Sequence, residues 1–331
     1  MPATRAGELV RLGWRGPLVS RLGVGTSPFG GVFGSYDPGA AIDAVHAALE
    51  VGINYFDTAP AYGATRSERV LGKALASVPR DAYVVSTKAG KGTEESGRDR
   101  LAFDEHSIRR SVDASAERLG VEVLDIVYLH DFDLDDGAHL PAALDTGFGT
   151  LRALRDEGRI RAVGAGIYRM DTWKRVLREV ELDVALVHNH HTLLDVRAFE
   201  LLPLAQARGV GIVNGAPFAS GLLTGVAAPA WHPAPASARR RIERARSIAD
   251  AAGVPLPRLA LAFAASEPRL PVTLVGAADA DEVLRNVAWS SEFPDRALVA
   301  HVQEALEPLM NRQWVYRAAT GGTGETGEDS G

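Results

Sequence analysis

The sequence predicts a parallel α/β fold, a single (β/α)₈ TIM barrel, with an open doubly wound sheet as the alternative. Eight short apolar runs recur along the chain, and segments with helical periodicity separate them. Runs that are continuously apolar are typical of parallel strands buried on both faces. The length of 331 residues, with 46% hydrophobic and 24% charged residues, suits a soluble barrel.

The elements alternate in order along the chain. The predicted strands are residues 21–27, 54–59, 83–89, 124–130, 160–166, 184–189, 209–215 and 272–277. The predicted helices between them are residues 38–52, 104–120, 144–158, 170–180, 195–209, 238–253 and 279–288. Asp104 is the expected N-cap of the second helix. Eight strands joined by helical crossovers close naturally into a barrel.

Three segments lie outside this repeat. Residues 9–20 have two short apolar arms around a Gly-Pro turn, which predicts a β-hairpin that covers the barrel floor. Residues 224–237 are rich in Pro and Ala, and their length suggests a lid or cofactor clasp. Residues 294–310 predict an extra C-terminal helix. We expect one domain over 1–320 and a disordered tail without chemistry over 321–331.

Composition limits the class of function. The net charge of −6 gives no global basic field for nucleic acid or anionic lipid. The absence of cysteine excludes disulfides, zinc–thiolate sites, iron–sulfur clusters and a cysteine nucleophile. No apolar run approaches the ~20 residues of a membrane helix, and no secretory signal is evident. We expect a cytoplasmic monomer or homo-oligomer with no nucleic-acid or membrane partner.

Reactive side chains follow three consecutive predicted strands. The strand at 54–59 carries Asp57 near its end, with Tyr62 in the loop beyond. The next two strands end near Lys88 and at His130. Chemistry in such barrels belongs to the carboxyl ends of the strands, so these four side chains should converge on one mouth.

An acid, a phenol, an amine and an imidazole make chemical sense together. Free tyrosine has a pKa of about 10, which an adjacent ammonium would lower by stabilising phenolate. Asp57 would hold Lys88 charged, and His130 could orient a substrate oxygen or relay a proton. Tyr62 would then be the acid/base group. None of the four carries a hydride, so redox chemistry would need a cofactor.

Three stretches carry a family resemblance. "FDTAPAYG", "STKAG" and "YLHDFD" resemble the active-site stretches of the aldo/keto reductase superfamily, and the tetrad of that superfamily matches Asp57, Tyr62, Lys88 and His130. Residues 22–34, 52–63 and 216–225 resemble its branch of aldose 1-dehydrogenases, L-fucose dehydrogenases and pyridoxal 4-dehydrogenases. The resemblance covers roughly residues 18 to 310.

This resemblance implies a nicotinamide-dependent oxidoreductase whose small-molecule substrate is a sugar or an aldehyde. The branch implies oxidation of an aldose-like cyclic hemiacetal to its lactone. Pyridoxal, or general aldehyde and ketone reduction, is the alternative substrate class. A cofactor-sensing regulatory barrel is the non-enzyme alternative, which the intact tetrad argues against.

The resemblance also implies cofactor contacts. These are Gly25, Thr26, His188, Gly215, Phe218, Ser220, Gly221, Leu222, Gly276, Ala278, Glu282 and Asn286. The backbone over 218–222 is expected to hold the pyrophosphate. Four positions after three strands depart from the family around the nicotinamide: Gly166-Ile167 replaces Ser-Asn, His188 replaces Gln, and Gly215 replaces Tyr, the last as expected for this branch.

The helix predicted at 279–288 bears on the cofactor's phosphate. Family members that prefer NADP place cations there, since Arg and Lys are the natural partners of a 2′-phosphate. This chain has three acids instead, at Asp279, Asp281 and Glu282, with Arg285 the nearest cation. We therefore expect NAD as the preferred cofactor, with NADP still possible.

Two other patterns predict no further chemistry. His188 and His190 would face the same side of a strand, but no third metal ligand is positioned by a recognisable motif, so we expect no metal. The basic run at 238–246 has apolar positions at Ile242 and Ala245, which indicate a solvated helix with one inward face.

Overall fold

The computed structural model describes residues 5–224, 229, 231–312, 314 and 316–319. A closed barrel of eight parallel strands lies at its centre, so the predicted barrel is confirmed and the open sheet is excluded. The strands are β1 (Leu9–Arg11), β2 (Leu18–Ser20), β3 (Leu22–Gly25), β4 (Tyr55–Asp57), β5 (Val84–Ala89), β6 (Lys91–Thr93), β7 (Asp99–Leu101), β8 (Leu124–His130), β9 (Ile160–Ile167), β10 (Val184–His188), β11 (Gly211–Gly215) and β12 (Val272–Gly276). Around the barrel the order is β3-β4-β5-β8-β9-β10-β11-β12.

Helices surround the barrel strands. They are α1 (Pro38–Glu50), α2 (Arg66–Leu75), α3 (Glu105–Leu119), α4 (Leu140–Ala142), α5 (Phe148–Asp156), α6 (Met170–Glu179), α7 (Leu202–Ala207), α8 (Ala236–Ala251), α9 (Leu256–Ser266), α10 (Ala280–Ser290) and α11 (Arg296–Leu306). Asp104 accepts from Ser107 N at 2.9 Å, which confirms the predicted cap. A π-helical turn at Ala143–Gly147 joins α4 to α5.

The hairpin β1–β2 closes one end of the barrel, as predicted. Its strands pair antiparallel, with Val10 opposite Val19. Leu12 and Val19 are buried in the same apolar cluster as the interior side chains of the barrel strands. Trp14 N donates to Gly209 O at 2.8 Å, next to the start of β11. The hairpin thus seals the end opposite the strand carboxyl termini.

Several helix predictions differ from the structure. The predicted helix at 195–209 is a 3₁₀ turn, Arg197–Glu200, followed by the short α7. The predicted helix at 238–253 is α8, but α9 was not predicted. It is α9 that packs beside α10 and β12, whereas α8 packs against α11 in a second apolar cluster. The near-continuous apolar sequence of α9 hid its helical periodicity.

The peripheral segments also differ. A small hairpin, β6–β7, lies between the predicted strand at 83–89 and the predicted helix at 104–120, where no strand was predicted. The predicted C-terminal helix is α11, and the predicted tail at 321–331 lies outside the described residues. In the described part of the chain no single helix has the length and apolarity to cross a bilayer; α8 and α9 meet that test only as a pair bent by 90°.

Candidate active site

The barrel brings the four predicted reactive residues to one mouth. Asp57 is the last residue of β4, Lys88 is the penultimate residue of β5, and His130 is the last residue of β8. These strands are neighbours in the barrel. Lys88 Nζ lies 2.6 Å from Asp57 Oδ2 and 4.7 Å from the centre of the Tyr62 ring. The carboxylate, ammonium and phenol therefore form one contact group.

The turn that presents Tyr62 is held by close backbone contact and by buried hydroxyls. Gly63 has φ +63°, and a Cβ there would lie 2.1 Å from Gly30 O, so no larger residue fits. Ser67 Oγ donates to Thr26 O at 2.7 Å. Thr26 Oγ1 in turn donates to Asp57 O at 2.9 Å, which ties the start of the turn to β4.

Lys88 is a buried ammonium with its donors satisfied. It donates to Asp57 Oδ2 at 2.6 Å and to Thr58 O at 2.7 Å, and its Nζ lies 4.7 Å from the centre of the Tyr62 ring. Burial lowers the pKa of Lys88. The charge of Asp57 and the Tyr62 phenol together raise this pKa by more than burial lowers it, so the net shift is upward. The side chain is 1% exposed and stays charged.

The expected downward shift of the Tyr62 pKa is wrong. Lys88 does lower this pKa through its charge and its hydrogen bond. Burial is the larger cause, however, and it raises the pKa, with Asp57 and Asp131 acting in the same direction. The net pKa of Tyr62 therefore lies above 10.0, and the phenol carries its proton at neutral pH.

His130 is a neutral imidazole. Burial lowers its pKa well below the usual 6.5, and the charges of Lys88 and Lys91 lower it further. Its Nε2 lies 3.3 Å from Asp131 Oδ1. Asp131 also accepts from Lys91 Nζ at 2.9 Å, and Lys91 lies 3.2 Å from Asp99. The ions at Lys91 and Asp99 belong to β6 and β7, and the sequence prediction missed both.

The predicted cofactor positions near β3 and β12 form a small-residue edge beside α10. Gly25 pairs with Gly276 in the barrel register. Thr26 is fully buried, and its hydroxyl bonds belong to the Tyr62 turn, so its side chain supports that turn. Asn286 is 4% exposed and donates to Gly276 O at 3.2 Å. It therefore fastens α10 to the end of β12.

Acidic side chains cap the start of α10. Asp279 accepts from Glu282 N at 2.8 Å, and Glu282 reaches back to accept from Ala278 N at 2.8 Å. Arg285 lies 3.5 Å from Glu282. Two carboxylates thus already occupy backbone donors at this helix terminus, where an anion would otherwise bind.

The loop after β11 holds the predicted pyrophosphate positions in a contorted turn. Ala219 and Ser220 have φ +50° and +53°, a conformation that non-glycine residues rarely adopt and that often marks a functional loop. The N–H groups of Gly221 and Leu222 donate to Phe218 O and Ala219 O within this turn. Ala219, Ser220 and Leu222 of this turn are buried.

Ser220 also links this turn to β10. Its Oγ lies 3.0 Å from His188 Nε2, and Asn189 Nδ2 donates to it at 2.9 Å. His188 pairs with Gly215 in the barrel register, so these two of the family departures lie side by side. Burial lowers the pKa of His188 to about 4, which makes this imidazole neutral.

The C-terminal segment contributes residues that the sequence prediction missed. The Tyr316 ring stacks on Tyr168, with centroids 4.5 Å apart. Its hydroxyl accepts from Asn189 Nδ2 at 3.2 Å and lies 3.3 Å from His232 Nε2. Farther on, Asp99 N donates to Ala319 O at 2.8 Å. Chain contacts therefore run across the mouth from the β10 loop to the β6–β7 hairpin.

The predicted clasp contacts the segment after β3 as well as Tyr316. Trp231 packs edge-to-face on Phe33, with centroids 5.7 Å apart, and donates to Val32 O at 3.2 Å. Pro229 lies close to Gly221, where an added Cβ would come within 2.9 Å. Residues 225–228 and 230 of this loop lie outside the described part of the chain.

The histidine pair has separate roles. β10 ends at His188, and Asn189 has φ +64°. His190 therefore lies outside the strand, and the two histidines do not face the same side of one strand, as a shared metal site would require. His190 instead contacts Asp195 Oδ2 at 3.0 Å and Tyr168 O at 2.6 Å. The described residues include no group of three His, Asp or Glu side chains that could hold a metal ion.

Comparisons with known proteins agree with this geometry. Residues 21–306 match the model of the aldo/keto reductase family. The chain is 35% identical to an L-galactose dehydrogenase of Arabidopsis thaliana, covering 93% of this chain and 97% of that protein. It is 32% identical to a D-threo-aldose 1-dehydrogenase of a Pseudomonas species and to a pyridoxal 4-dehydrogenase of Microbacterium luteolum, each covering 88% of this chain and 95% of the relative.

A solved structure agrees as well. An aldo-keto reductase of Bacillus halodurans in its holo form superposes with a TM-score of 0.73 at 26% identity, covering 93% of this chain and 98% of that one. The family match spans the barrel strands that carry Asp57, Lys88 and His130, and the loop of Tyr62. The chain belongs to the aldo/keto reductase family and is a nicotinamide-dependent oxidoreductase.

Proposed function

We propose that the protein oxidises the cyclic hemiacetal of an aldose at its anomeric carbon, forming the lactone, with NAD as the preferred cofactor. The Tyr62–Lys88–Asp57 contact group carries this proposal, because it is built to move a proton at a substrate oxygen. The sugar substrates named for two relatives support the aldose class. Pyridoxal is the second candidate, supported by a third relative.

The residues at the mouth fit a dinucleotide. Glycines end β3, β11 and β12, so their carboxyl ends carry no side chains that would block a ligand. The contorted turn at 218–222 and the clasp contact of Trp231 with Phe33 flank this space. A nicotinamide cofactor bound there supplies the acceptor for the hydride that leaves the substrate carbon.

Tyr62 then receives the proton of the substrate hydroxyl. As the C–H bond breaks, the O–H proton passes to the Tyr62 oxygen and the carbon–oxygen bond becomes the carbonyl of the lactone. Lys88 stabilises the phenolate that is needed before transfer. His130, neutral and buried, can hold the substrate oxygen by a hydrogen bond without adding charge.

A substrate panel tests this proposal. We expect NAD-dependent oxidation of at least one aldose, with the lactone as first product, and weaker activity on pyridoxal and simple aldehydes. Because oxidation requires the Tyr62 phenolate and the pKa of Tyr62 lies above 10.0, kcat/KM should rise between pH 7 and pH 9. Activity confined to the reduction of plain aldehydes would contradict the hemiacetal proposal.

The NAD preference rests on the start of α10. Asp279 and Glu282 occupy backbone donors there and would repel a 2′-phosphate, whereas a carboxylate can accept a hydrogen bond from a free 2′-hydroxyl. The helix terminus itself favours an anion by only about 0.3–1 kcal/mol. Arg285 already faces Glu282 at 3.5 Å, which reduces its use as a phosphate partner.

The double variant Ala278→Arg with Glu282→Arg should shift the preference towards NADP. The change removes one acid and adds two cations, so we expect at least about a tenfold change in the ratio of kcat/KM values for NADP and NAD, about 1.4 kcal/mol. Leu284→Arg, on an exposed position of the same helix, adds a cation elsewhere and should leave the ratio unchanged. A wild-type ratio that already favours NADP would contradict the NAD proposal.

A further inference from the structure

A chain of hydroxyl groups runs from the barrel interior to Asp57. Ser86 Oγ lies 2.6 Å from Asp57 Oδ1, Tyr55 OH lies 3.1 Å from Ser86 Oγ, and Tyr128 OH lies 2.9 Å from Tyr55 OH. Ser86, Tyr55 and Tyr128 lie on β5, β4 and β8, and each is 0% exposed. This hydroxyl chain of Tyr128, Tyr55 and Ser86 thus begins among the interior side chains of the barrel and ends at the active site.

The donor at each link follows from counting protons. Asp57 is ion-paired with Lys88 through Oδ2, so Oδ1 accepts and the Ser86 hydroxyl donates. Ser86 has then used its one proton, so its oxygen accepts from Tyr55. The Tyr55 oxygen accepts from Tyr128 by the same argument. Every O–H bond in the chain therefore points towards Asp57.

The barrel makes room for these two phenols. A Cβ at position 164 would lie 2.3 Å from Tyr128 Cδ1, and a Cβ at position 23 would lie 2.8 Å from Tyr55 Cδ1, and both positions are glycine. Interiors of such barrels are usually filled by branched apolar side chains, which carry no buried polar groups. Packing alone would not call for two buried hydroxyls, which indicates a role for the chain.

That role is not proton exchange. Burial raises the pKa of Tyr128 well above its usual value, and burial together with the charge of Asp57 raises the pKa of Tyr55. Both phenols therefore keep their protons throughout the working pH range. The hydroxyl chain instead presents aligned hydrogen-bond donors to Asp57. These donors polarise one another in the low-dielectric interior.

We propose that Ser86, Tyr55 and Tyr128 are positioning residues that draw the charge of Asp57 away from Tyr62, so that Lys88 dominates the field at the phenol. This inference rests on the proposed role of Tyr62 in proton transfer. Asp57 raises the pKa of Tyr62 and Lys88 lowers it. Donors on the far oxygen of Asp57 weaken the first effect and leave the second intact.

Besides Asp57, the other charged or titratable groups near Tyr62 are not part of the hydroxyl chain. Asp131, beyond β8, raises the pKa of Tyr62, and the Tyr168 phenol, beyond β9, interacts with it electrostatically. Lys88, on β5, lowers the pKa of Tyr62. Removing a hydroxyl from the hydroxyl chain therefore changes the field at Tyr62 through Asp57 and leaves these groups in place.

Ser86→Ala tests the proposal at the link nearest to Asp57. We expect the rising limb of the kcat/KM–pH profile for oxidation to move up by about one pH unit and the rate at pH 7 to fall about tenfold, with cofactor affinity unchanged. Tyr55→Phe should give a smaller shift and Tyr128→Phe the smallest, because each breaks the chain farther from Asp57.

Thr87→Val is the matched control. Thr87 is the next residue on β5, is fully buried, and donates to Glu68 Oε1 at 2.6 Å on the opposite face of the strand. The Thr87→Val variant should be less stable than the wild type but keep the wild-type kcat/KM–pH profile for oxidation. If Ser86→Ala does not fold, Tyr55→Phe carries the test, because it keeps the ring volume.

A second measurement needs no substrate and separates this inference from the proposed function. Tyrosinate absorbance is measured after a stopped-flow pH jump, for each variant and for the same variant that also carries Tyr62→Phe. The difference between the two reports the ionisation of Tyr62 alone. A higher apparent pKa in Ser86→Ala and in Tyr55→Phe supports the proposal. An unchanged Tyr62 titration in both folded variants overturns it, whereas wild-type inactivity across the substrate panel contradicts only the proposed function.

Discussion

Tyr62→Phe should lose turnover by about 10²–10⁴-fold while cofactor affinity stays unchanged. The change removes one hydroxyl, the group that receives the substrate proton, and keeps the ring that lies 4.7 Å from Lys88 Nζ. The loss should appear in kcat, because the proton is transferred in the reaction step. Steady-state rates at saturating cofactor and a fluorescence titration of cofactor binding measure the two quantities.

Tyr83→Phe is a suitable control for this variant. Tyr83 precedes β5 at the strand end opposite Lys88, so its hydroxyl is remote from the mouth. We expect it to keep wild-type turnover. A Tyr62→Phe variant that retains a rate within a few fold of wild type would exclude the phenol as the proton-transfer group.

Lys88→Met should destabilise the fold as well as abolish activity. It leaves the Asp57 carboxylate, 4% exposed, without its ammonium partner in the barrel interior. Breaking one side of a buried ion pair typically costs about 3–5 kcal/mol, because the remaining charge is uncompensated. The free energy of unfolding from urea titration measures this loss.

The double variant Asp57→Asn with Lys88→Met removes both charges. It should recover part of the lost stability while remaining inactive, because the uncompensated carboxylate is gone. Glu8→Gln breaks the exposed Arg21–Glu8 pair and should cost no more than about 1 kcal/mol. A double variant less stable than Lys88→Met would contradict the view that an unpaired buried charge causes the loss.

The sequence allowed the four reactive residues to be predicted together because barrel topology places successive strand ends at one mouth. The placement of Asp57, Lys88 and His130 at the mouth followed from locating the ends of three strands, which the apolar runs of the sequence indicated. The direction of the Tyr62 pKa could not be predicted in the same way. It depends on how far burial outweighs the charge of Lys88, which is a property of the folded environment.

Other features were hidden because they depend on contacts between distant segments. Tyr55 and Tyr128 have the sequence context of core strand residues, and nothing local indicates that their hydroxyls meet. Tyr316 reaches Tyr168 only because the chain returns across the mouth after α11. The helix α9 was missed for a different reason, since an almost wholly apolar segment has too little periodicity to mark its helical face.

The most direct measurement of the central claim follows the two hydrogens of the substrate. With the best aldose of the panel carrying deuterium at its anomeric carbon, the deuterium should appear in the reduced cofactor and be absent from the lactone, and turnover should slow if hydride transfer limits the rate. Transfer of the label should fall with turnover in Tyr62→Phe and remain in Tyr83→Phe. Deuterium released to water, or a Tyr62→Phe variant that transfers the label at the wild-type rate, would contradict hydride transfer from the anomeric carbon coupled to proton transfer to Tyr62.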